Sequence, residues 1–264
     1  MAEDAVICEY LEGVAHVRLN RPEALNAVNG ELCAQLRQAL LDADADDAVK
    51  AVLISGNGRA FCAGGDLNAI RRLCDMEADS LHTALTRDFA AVQQVYRCSK
   101  PTVAAVHGAV VGGGSGIAAA CDFVVAEQGA KFAFPFLDLG IIPDMCILYL
   151  LTQRVGLQQA RRLLLRGTPV LADEAQRLGL VDEVTPKGEL AAAAGGLAEA
   201  LARRGGAAMN LAKRHLNQIG QYSFEESMER EILSQALLWK SGEVRRRTEA
   251  MLAALAGKNS GAGE

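Results

Sequence analysis

Lys100-Pro-Thr-Val-Ala-Ala-Val-His-Gly-Ala-Val-Val-Gly-Gly-Gly-Ser-Gly-Ile-Ala-Ala-Ala-Cys121 decides the fold class. From Pro101 to Cys121 there is no Asp, Glu, Lys or Arg over 21 positions, a length that would suffice to span a membrane. Five glycines and His107 interrupt the run, and they read instead as punctuation between a buried strand, a tight turn and a buried helix. A strand is expected over Lys100 to Val106, with a helix running from the triple glycine to Cys121.

Working outward, the same alternation recurs. Ala5 to Asn20 reads as a hairpin about Glu12-Gly13, closed by Pro22. Asn29 suits the cap of a helix from Gly30 to about Ala43, with Leu32, Leu36, Ala39 and Leu40 on one face. Ala51-Val-Leu-Ile-Ser is a buried strand, and Ser80 to Arg97 a second helix. Phe123-Val-Val-Ala and Lys131-Phe-Ala-Phe are two further short strands. Strands separated by helices need crossovers, which predicts an α/β core with parallel pairing. After Asp144 the pattern is mainly helical, over Glu189–Arg204, Ala207–Gln218, Phe224–Trp239 and Gly242–Ala256. We therefore expect a core over residues 1–200 and a helical oligomerisation region over 201–264.

Composition narrows the function classes. The 264 residues carry a net charge of -5, which argues against a nucleic-acid face. The clusters Arg161-Arg162, Arg203-Arg204 and Arg245-Arg246-Arg247 read as solvated helix faces. Seven cysteines, an odd number with no closely spaced pair, fit neither a disulfide framework nor a zinc knuckle. The acidic start Met-Ala-Glu-Asp leads into no signal-like apolar run. A cytoplasmic protein with no membrane partner is expected.

Two glycine turns carry the chemistry: Phe61-Cys-Ala-Gly-Gly-Asp-Leu67 and His107-Gly-Ala-Val-Val-Gly-Gly-Gly-Ser-Gly116. A thioester becomes acidic at C2 only if its enolate oxygen is stabilised. Two backbone N–H groups aimed at that oxygen contribute about 3 kcal/mol each. Glycine lets backbone approach a ligand closely, and a helix N-terminus adds positive dipole. Gly113, where strand gives way to helix, suits one donor. Gly65, between Gly64 and Asp66, suits the other. Asp66 itself also suits a turn and cap.

These blocks, with Leu19-Asn-Arg-Pro-Glu-Ala-Leu-Asn-Ala27 and Ala172-Asp-Glu-Ala175…Gly179-Leu-Val-Asp182, resemble the enoyl-CoA hydratase/isomerase (crotonase) family over nearly the whole chain. The resemblance implies a crotonase-like spiral of β-β-α turns with a C-terminal helical region, assembled as a homotrimer or a dimer of trimers. It implies an acyl-CoA thioester bound near Ala24, Ala63 and Leu67, with Gly64, Asp66, Gly112 and Phe136 also against the substrate and Gly65 and Gly113 as oxyanion donors. Coenzyme A is then part of the substrate, and no metal or other cofactor is implied.

The acids depart from the hydratase pattern. Family hydratases use two glutamates to split one water; in register these fall on Gly116 and Phe136, neither of which transfers a proton. Leu139-Gly-Ile-Ile-Pro-Asp144 instead resembles the segment of Δ3,Δ2-enoyl-CoA isomerases and ring-1,2-epoxyphenylacetyl-CoA isomerases, where an acid at this place is the catalytic base. Asp after Pro at a helix start is also what an N-cap requires. Apolar neighbours would raise the carboxyl pKa and a helix N-terminus would lower it. Asp138 would face the same side as Phe136 if its strand persisted. Family dehalogenases add a His in the preceding helix, about where Phe89 stands. Many members have a Gly-Gly pair soon after the Pro, where this chain has Met145-Cys-Ile-Leu-Tyr. The expected activity is an acyl-CoA isomerase with Asp144 as acid and base. The alternatives are a hydratase with atypical residues and a catalytically silent acyl-CoA-binding protein.

Overall fold

The computed structural model describes residues 4–260, with side chains as far as 253. The first three residues of the acidic N-terminus and the end of the chain lie outside the described residues. Contacts separate the chain into two compact units that meet at Gly205 and Gly206. The expected division at residues 200 and 201 would fall inside a helix that runs to Arg204.

The first unit opens with the expected hairpin, β1 (Val6–Leu11) and β2 (Val14–Leu19). Glu12 and Gly13 both have positive φ, 50° and 79°, as a two-residue turn between twisted antiparallel strands requires. Asn29 accepts from the Leu32 N–H and starts α1 (Gly30–Ala45), whose Leu32, Cys33, Leu36 and Leu40 are buried. Next come β3 (Ala51–Gly56), α2 (Leu67–Cys74), α3 (Ala78–Arg97) and β4 (Thr102–Val106). The chain continues through β5 (Ala109–Val111), α4 (Gly113–Ala120), β6 (Phe123–Glu127) and β7 (Lys131–Ala133). It then forms α5 (Ile147–Arg166), which breaks at Gly156 (φ 75°, ψ 159°). β8 (Val170–Leu171), α6 (Ala172–Leu178), β9 (Glu183–Thr185) and α7 (Leu190–Arg204) complete the unit.

A six-stranded sheet has the order β1-β2-β3-β4-β6-β9, and every pair after the hairpin is parallel. Alternate residues serve its two faces. Val52, Ile54, Ala104 and Val106 join the main core with α1, α3 and α4. Ala51, Leu53, Val103 and Ala105 pack with Ala194 and Ala198 of α7. The uncharged run from Pro101 to Cys121 is thus two strands and a buried helix, and no described helix is long and apolar enough to cross a membrane.

The sequence suggested one strand before the triple glycine, but there are two. At Gly108 the chain leaves the large sheet, and β5 pairs with β7 in a second sheet of order β5-β7-β8. No two of the seven cysteines, all of them among the described residues, form a disulfide.

The second unit consists of α8 (Ala207–Leu216), α9 (Phe224–Lys240) and α10 (Glu243–Ser260). Ser223 and Glu226 form a reciprocal capping box that starts α9. His215 and Ser234 join side chains at 2.9 Å. Along α9, Met228, Ile232, Leu233 and Leu237 are all exposed in the single chain, as is Trp239.

Candidate active site

Backbone hydrogen bonds bring the two glycine turns side by side. Cys62 N–H donates to Ala109 O at 3.0 Å and Val111 N–H to Cys62 O at 2.9 Å, so the segment after β3 runs parallel to β5. On its other side Val28 N–H donates to Gly64 O and Asp66 N–H to Val28 O, at 2.7 and 2.9 Å. Residue 65 therefore bridges to Val28 while its own N–H points away. Gly64 takes φ +98° and Gly112 φ +51°, conformations a side chain disfavours. A Cβ on Gly112 would lie 3.7 Å from Gly64 Cα, so the turns touch backbone to backbone.

The Gly113 N–H begins α4 and has no place in the helical ladder. Among the described residues neither the Gly65 nor the Gly113 N–H has a backbone acceptor. Gly65 is exposed and Gly113 buried, since Met145 Cγ and Val28 Cγ2 stand 3.2 and 3.4 Å from where a Gly113 Cβ would be. Ala63 N–H donates to Leu25 O, and Ala24 ends the short 3₁₀ turn from Pro22. Ala24 and Ala63 thus lie on adjoining stretches of backbone, and Leu67 is exposed.

Asp66 is committed to structure. Its carboxylate caps α2 by accepting from the Asn68 and Ala69 N–H groups, and it pairs with Arg21 at 2.9 Å. The Arg21 guanidinium, with help from these N–H groups, holds its pKa below the usual carboxylate range. His107 bonds through Nε2 to Gly58 O at 3.0 Å, a partner that no spacing in the sequence announces.

Asp144 is not the N-cap of α5. Cys146 occupies that position, and Asp144 contributes only its carbonyl, which accepts from Ile147 N–H at 3.0 Å. Its side chain makes no cap hydrogen bond and is partly buried. Burial pushes its pKa from 3.8 up to about 6, partly offset by its own backbone N–H. The balance left open by the sequence thus falls on desolvation. The next two residues, Met145 and Cys146, both have positive φ, 49° and 60°. These are positions where a glycine pair would sit without strain; non-glycine residues there cost about 1–2 kcal/mol each.

The two positions that the family resemblance assigns to hydratase glutamates each adjoin one of these segments, Phe136 at Gly112 and Gly116 at Met145. The buried Phe136 ring reaches 3.7 Å from a Gly112 Cβ. Gly116 faces Met145, whose carbonyl oxygen would be 2.6 Å from a Cβ on Gly116, so this backbone closes the position to any side chain. Asp138 does not share the face of Phe136: β7 ends at Ala133, the chain turns into a 3₁₀ segment over Leu137–Leu139, and Asp138 is exposed.

One acid escaped the sequence reading. Asp88 on α3 has an Oδ1 that is fully buried without a hydrogen bond. It stands 3.4 Å from where Gly30 would carry a Cβ, and it forms an ion pair with Arg87 Nε at 3.7 Å, longer than a hydrogen bond. Desolvation raises its pKa. In sequence it reads as one polar residue of an amphipathic helix, with no signal of its own.

A spiral of β-β-α turns with two apposed glycine N–H donors and a desolvated carboxyl defines a class of thioester-activating folds. The chain belongs to the enoyl-CoA hydratase/isomerase family, whose sequence profile matches residues 9–254. It is 33% identical over 249 residues to the 1,2-epoxyphenylacetyl-CoA isomerase of Escherichia coli, covering 94% of this chain and 95% of that protein. It is 35% identical over 234 residues to the crotonyl-CoA hydratase of Syntrophomonas wolfei, covering 86% and 87%. The crystal structure of an enoyl-CoA hydratase/isomerase from Marinobacter aquaeolei superposes with a TM-score of 0.89 at 30% identity, covering 95% of this chain and 97% of that one. The fold is therefore the crotonase fold, and the chain is an enzyme of this family acting on acyl-CoA.

Proposed function

We propose that the chain is an acyl-CoA isomerase, converting a 3-enoyl-CoA, or a ring-derived acyl-CoA, to the conjugated isomer. The Asp144 carboxylate takes a proton from C2. The electrons of that C–H bond delocalise through the C3–C4 double bond and the thioester carbonyl, forming a dienolate. The Gly65 and Gly113 N–H groups donate to its oxygen. The protonated Asp144 then returns the proton at C4, leaving the double bond between C2 and C3. One acid completes the cycle. No water is consumed, no metal or redox cofactor takes part, and coenzyme A leaves as part of the product.

The observation that carries this reading is the contrast between Asp144 and the two hydratase positions. Asp144 is partly buried, and that burial raises its pKa to about 6, which suits a base that must both take and give a proton near neutrality. Gly116 is closed by the Met145 carbonyl and Phe136 is apolar, so no second acid stands at either place to hold a water. Most of the similar curated proteins carry hydratase names, which makes water addition through atypical residues the second reading.

Purified protein assayed against 3-enoyl-, 2-enoyl- and epoxyphenylacetyl-CoA separates them. Isomerisation of the first or third supports the proposal, and dominant hydration of the second overturns it in favour of a hydratase. Binding without turnover points to a silent acyl-CoA-binding protein.

We further propose a homotrimer or a dimer of trimers in the cytoplasm. In support, α9 presents Met228, Ile232, Leu233 and Leu237 to solvent in the single chain, an apolar row of the kind that needs a partner.

A further inference from the structure

Arg154, on the first half of α5, has a side chain only 14% exposed and no part in the isomerase cycle. Its guanidinium reaches the end of α4. Nε donates to Ala119 O at 3.0 Å and Nη2 to Cys121 O, while Nη1 pairs with Asp182 at 3.5 Å. The last carbonyls of a helix have no partner within it. In α4 the Cys121 N–H serves Ala118 O and the Cys121 thiol serves Ile117 O; Arg154 serves two more. Its positive charge also complements the helix dipole at that end.

The groups of the site stand at the opposite end of the same two helices. Gly113 opens α4. Asp144 precedes α5 by only two residues, Met145 and Cys146, both held at positive φ. Met145 packs with its side chain against Gly113 and with its carbonyl against Gly116. From Gly113 to Ala120, and from Ile147 to Arg154, the chain advances about 10 Å of helix. Arg154 lies before the break at Gly156, on unbroken helix continuous with the Asp144 turn. The two helices are thus tied near both ends, by Met145 beside donor and base and by the guanidinium at the far end.

We propose that Arg154 is a positioning residue: it locks α4 to α5 and so fixes the distance between the Gly113 N–H and the Asp144 carboxyl. It touches no substrate atom. The inference rests on Gly113 and Asp144 acting as donor and base, and it deepens that reading by naming what holds the two in register. Donor and base belong to different elements, so a slip of α4 along α5 separates them while each stays intact. A misplacement of about 1 Å costs roughly 10²-fold in rate. The backbone proposed to hold CoA, about Ala24 and Ala63, precedes both helices, so affinity should not depend on the clamp.

Phenylacetyl-CoA tests this without isomerisation. Its C2 protons are acidified by ring and thioester, and it has no double bond to shift. Their exchange for deuterium in D2O, followed by NMR, reads base and donor together; Asp144→Asn marks the zero of the assay. Arg154→Met should slow exchange by roughly 10–10²-fold, while calorimetric affinity for phenylacetyl-CoA stays within about twofold of wild type. Arg154→Lys keeps the charge without the two-pronged fork and should recover part of the rate. Leu40→Ala hollows the core at α1; it should melt lower yet exchange at close to the wild-type rate. The proposal is overturned if Arg154→Met exchanges as fast as Leu40→Ala, if affinity falls in step with exchange, or if Arg154→Lys does no better than Arg154→Met. Should Arg154→Met not fold, Arg154→Lys against Leu40→Ala decides by the same measure. A wild type that exchanges C2 protons but isomerises no 3-enoyl-CoA sinks the isomerase reading and leaves this one standing. A wild type that exchanges none overturns the proposal, whatever the isomerase assay gives.

Discussion

Replacing Asp144 by Asn keeps the shape of the side chain and removes its proton chemistry, so activity and stability should move in opposite directions. Loss of a general base typically costs ~10²–10⁴-fold in rate, and that range is expected for kcat on a 3-enoyl-CoA. Stability follows from burial. Moving the carboxyl from 3.8 to about 6 corresponds to ~3 kcal/mol at most, and solvent reaching the part-exposed group reduces this to roughly 1–3 kcal/mol. The folded pKa lies above the unfolded one. Between about pH 4 and 6 the folded chain therefore holds more protons, and stability falls as pH rises through that window. Asn carries no such cost. The variant should match the wild type near pH 4 and exceed it by roughly 1–3 kcal/mol at about pH 8. Urea unfolding at fixed protein concentration, repeated across pH, measures the difference. In parallel, wild-type kcat/KM should rise with pH through about 6 as the base ionises. A stability difference that ignores pH, or a variant with unchanged kcat, would refute the reasoning.

Other perturbations test the surrounding frame. Gly116→Glu should not restore hydration, because its Cβ meets the Met145 carbonyl at 2.6 Å; overpacking against backbone should lower stability by about 1–3 kcal/mol, read by thermal melting, and a stable, hydrating variant would disprove it. Asp66→Ala removes the α2 cap and the Arg21 partner. We expect a loss of about 1–2 kcal/mol and a lower kcat/KM as the neighbouring Gly65 N–H loses its fixed aim; since pairing lowers the Asp66 pKa, this stabilisation is present above the unfolded carboxyl pKa and is lost as pH falls through the folded one. Light scattering should give a trimer or hexamer of the 27.9 kDa chain, and Ile232→Glu with Leu237→Glu should yield smaller species; a fully active wild-type monomer would refute the assembly.

The sequence by itself determined the parallel α/β core, because buried strands and glycine breaks are local signals: Ala51 to Ile54 and Phe123 to Ala126 carry uninterrupted apolar side chains, and Asn29 carries a cap that acts within one turn. It also pointed to Gly65 and Gly113 as candidate oxyanion donors, since glycine lets the backbone approach a ligand closely. β5 and α2 were not legible. Gly108 merges two strands into one apolar run, and Leu67–Cys74 is too short to show a helical period. Tertiary structure alone decided the state of the acids. Asp144 reads equally well as cap or base until burial is known; Cys146 takes the cap, and desolvation sets the carboxyl near 6. Gly116 and Met145 are far apart in sequence, and only their contact closes the hydratase position. Asp88 looks like a solvated helix residue until α3 presses it against Gly30. A pKa and an unpaired oxygen depend on what surrounds a group in space, and the neighbours that matter here come from other elements of the chain.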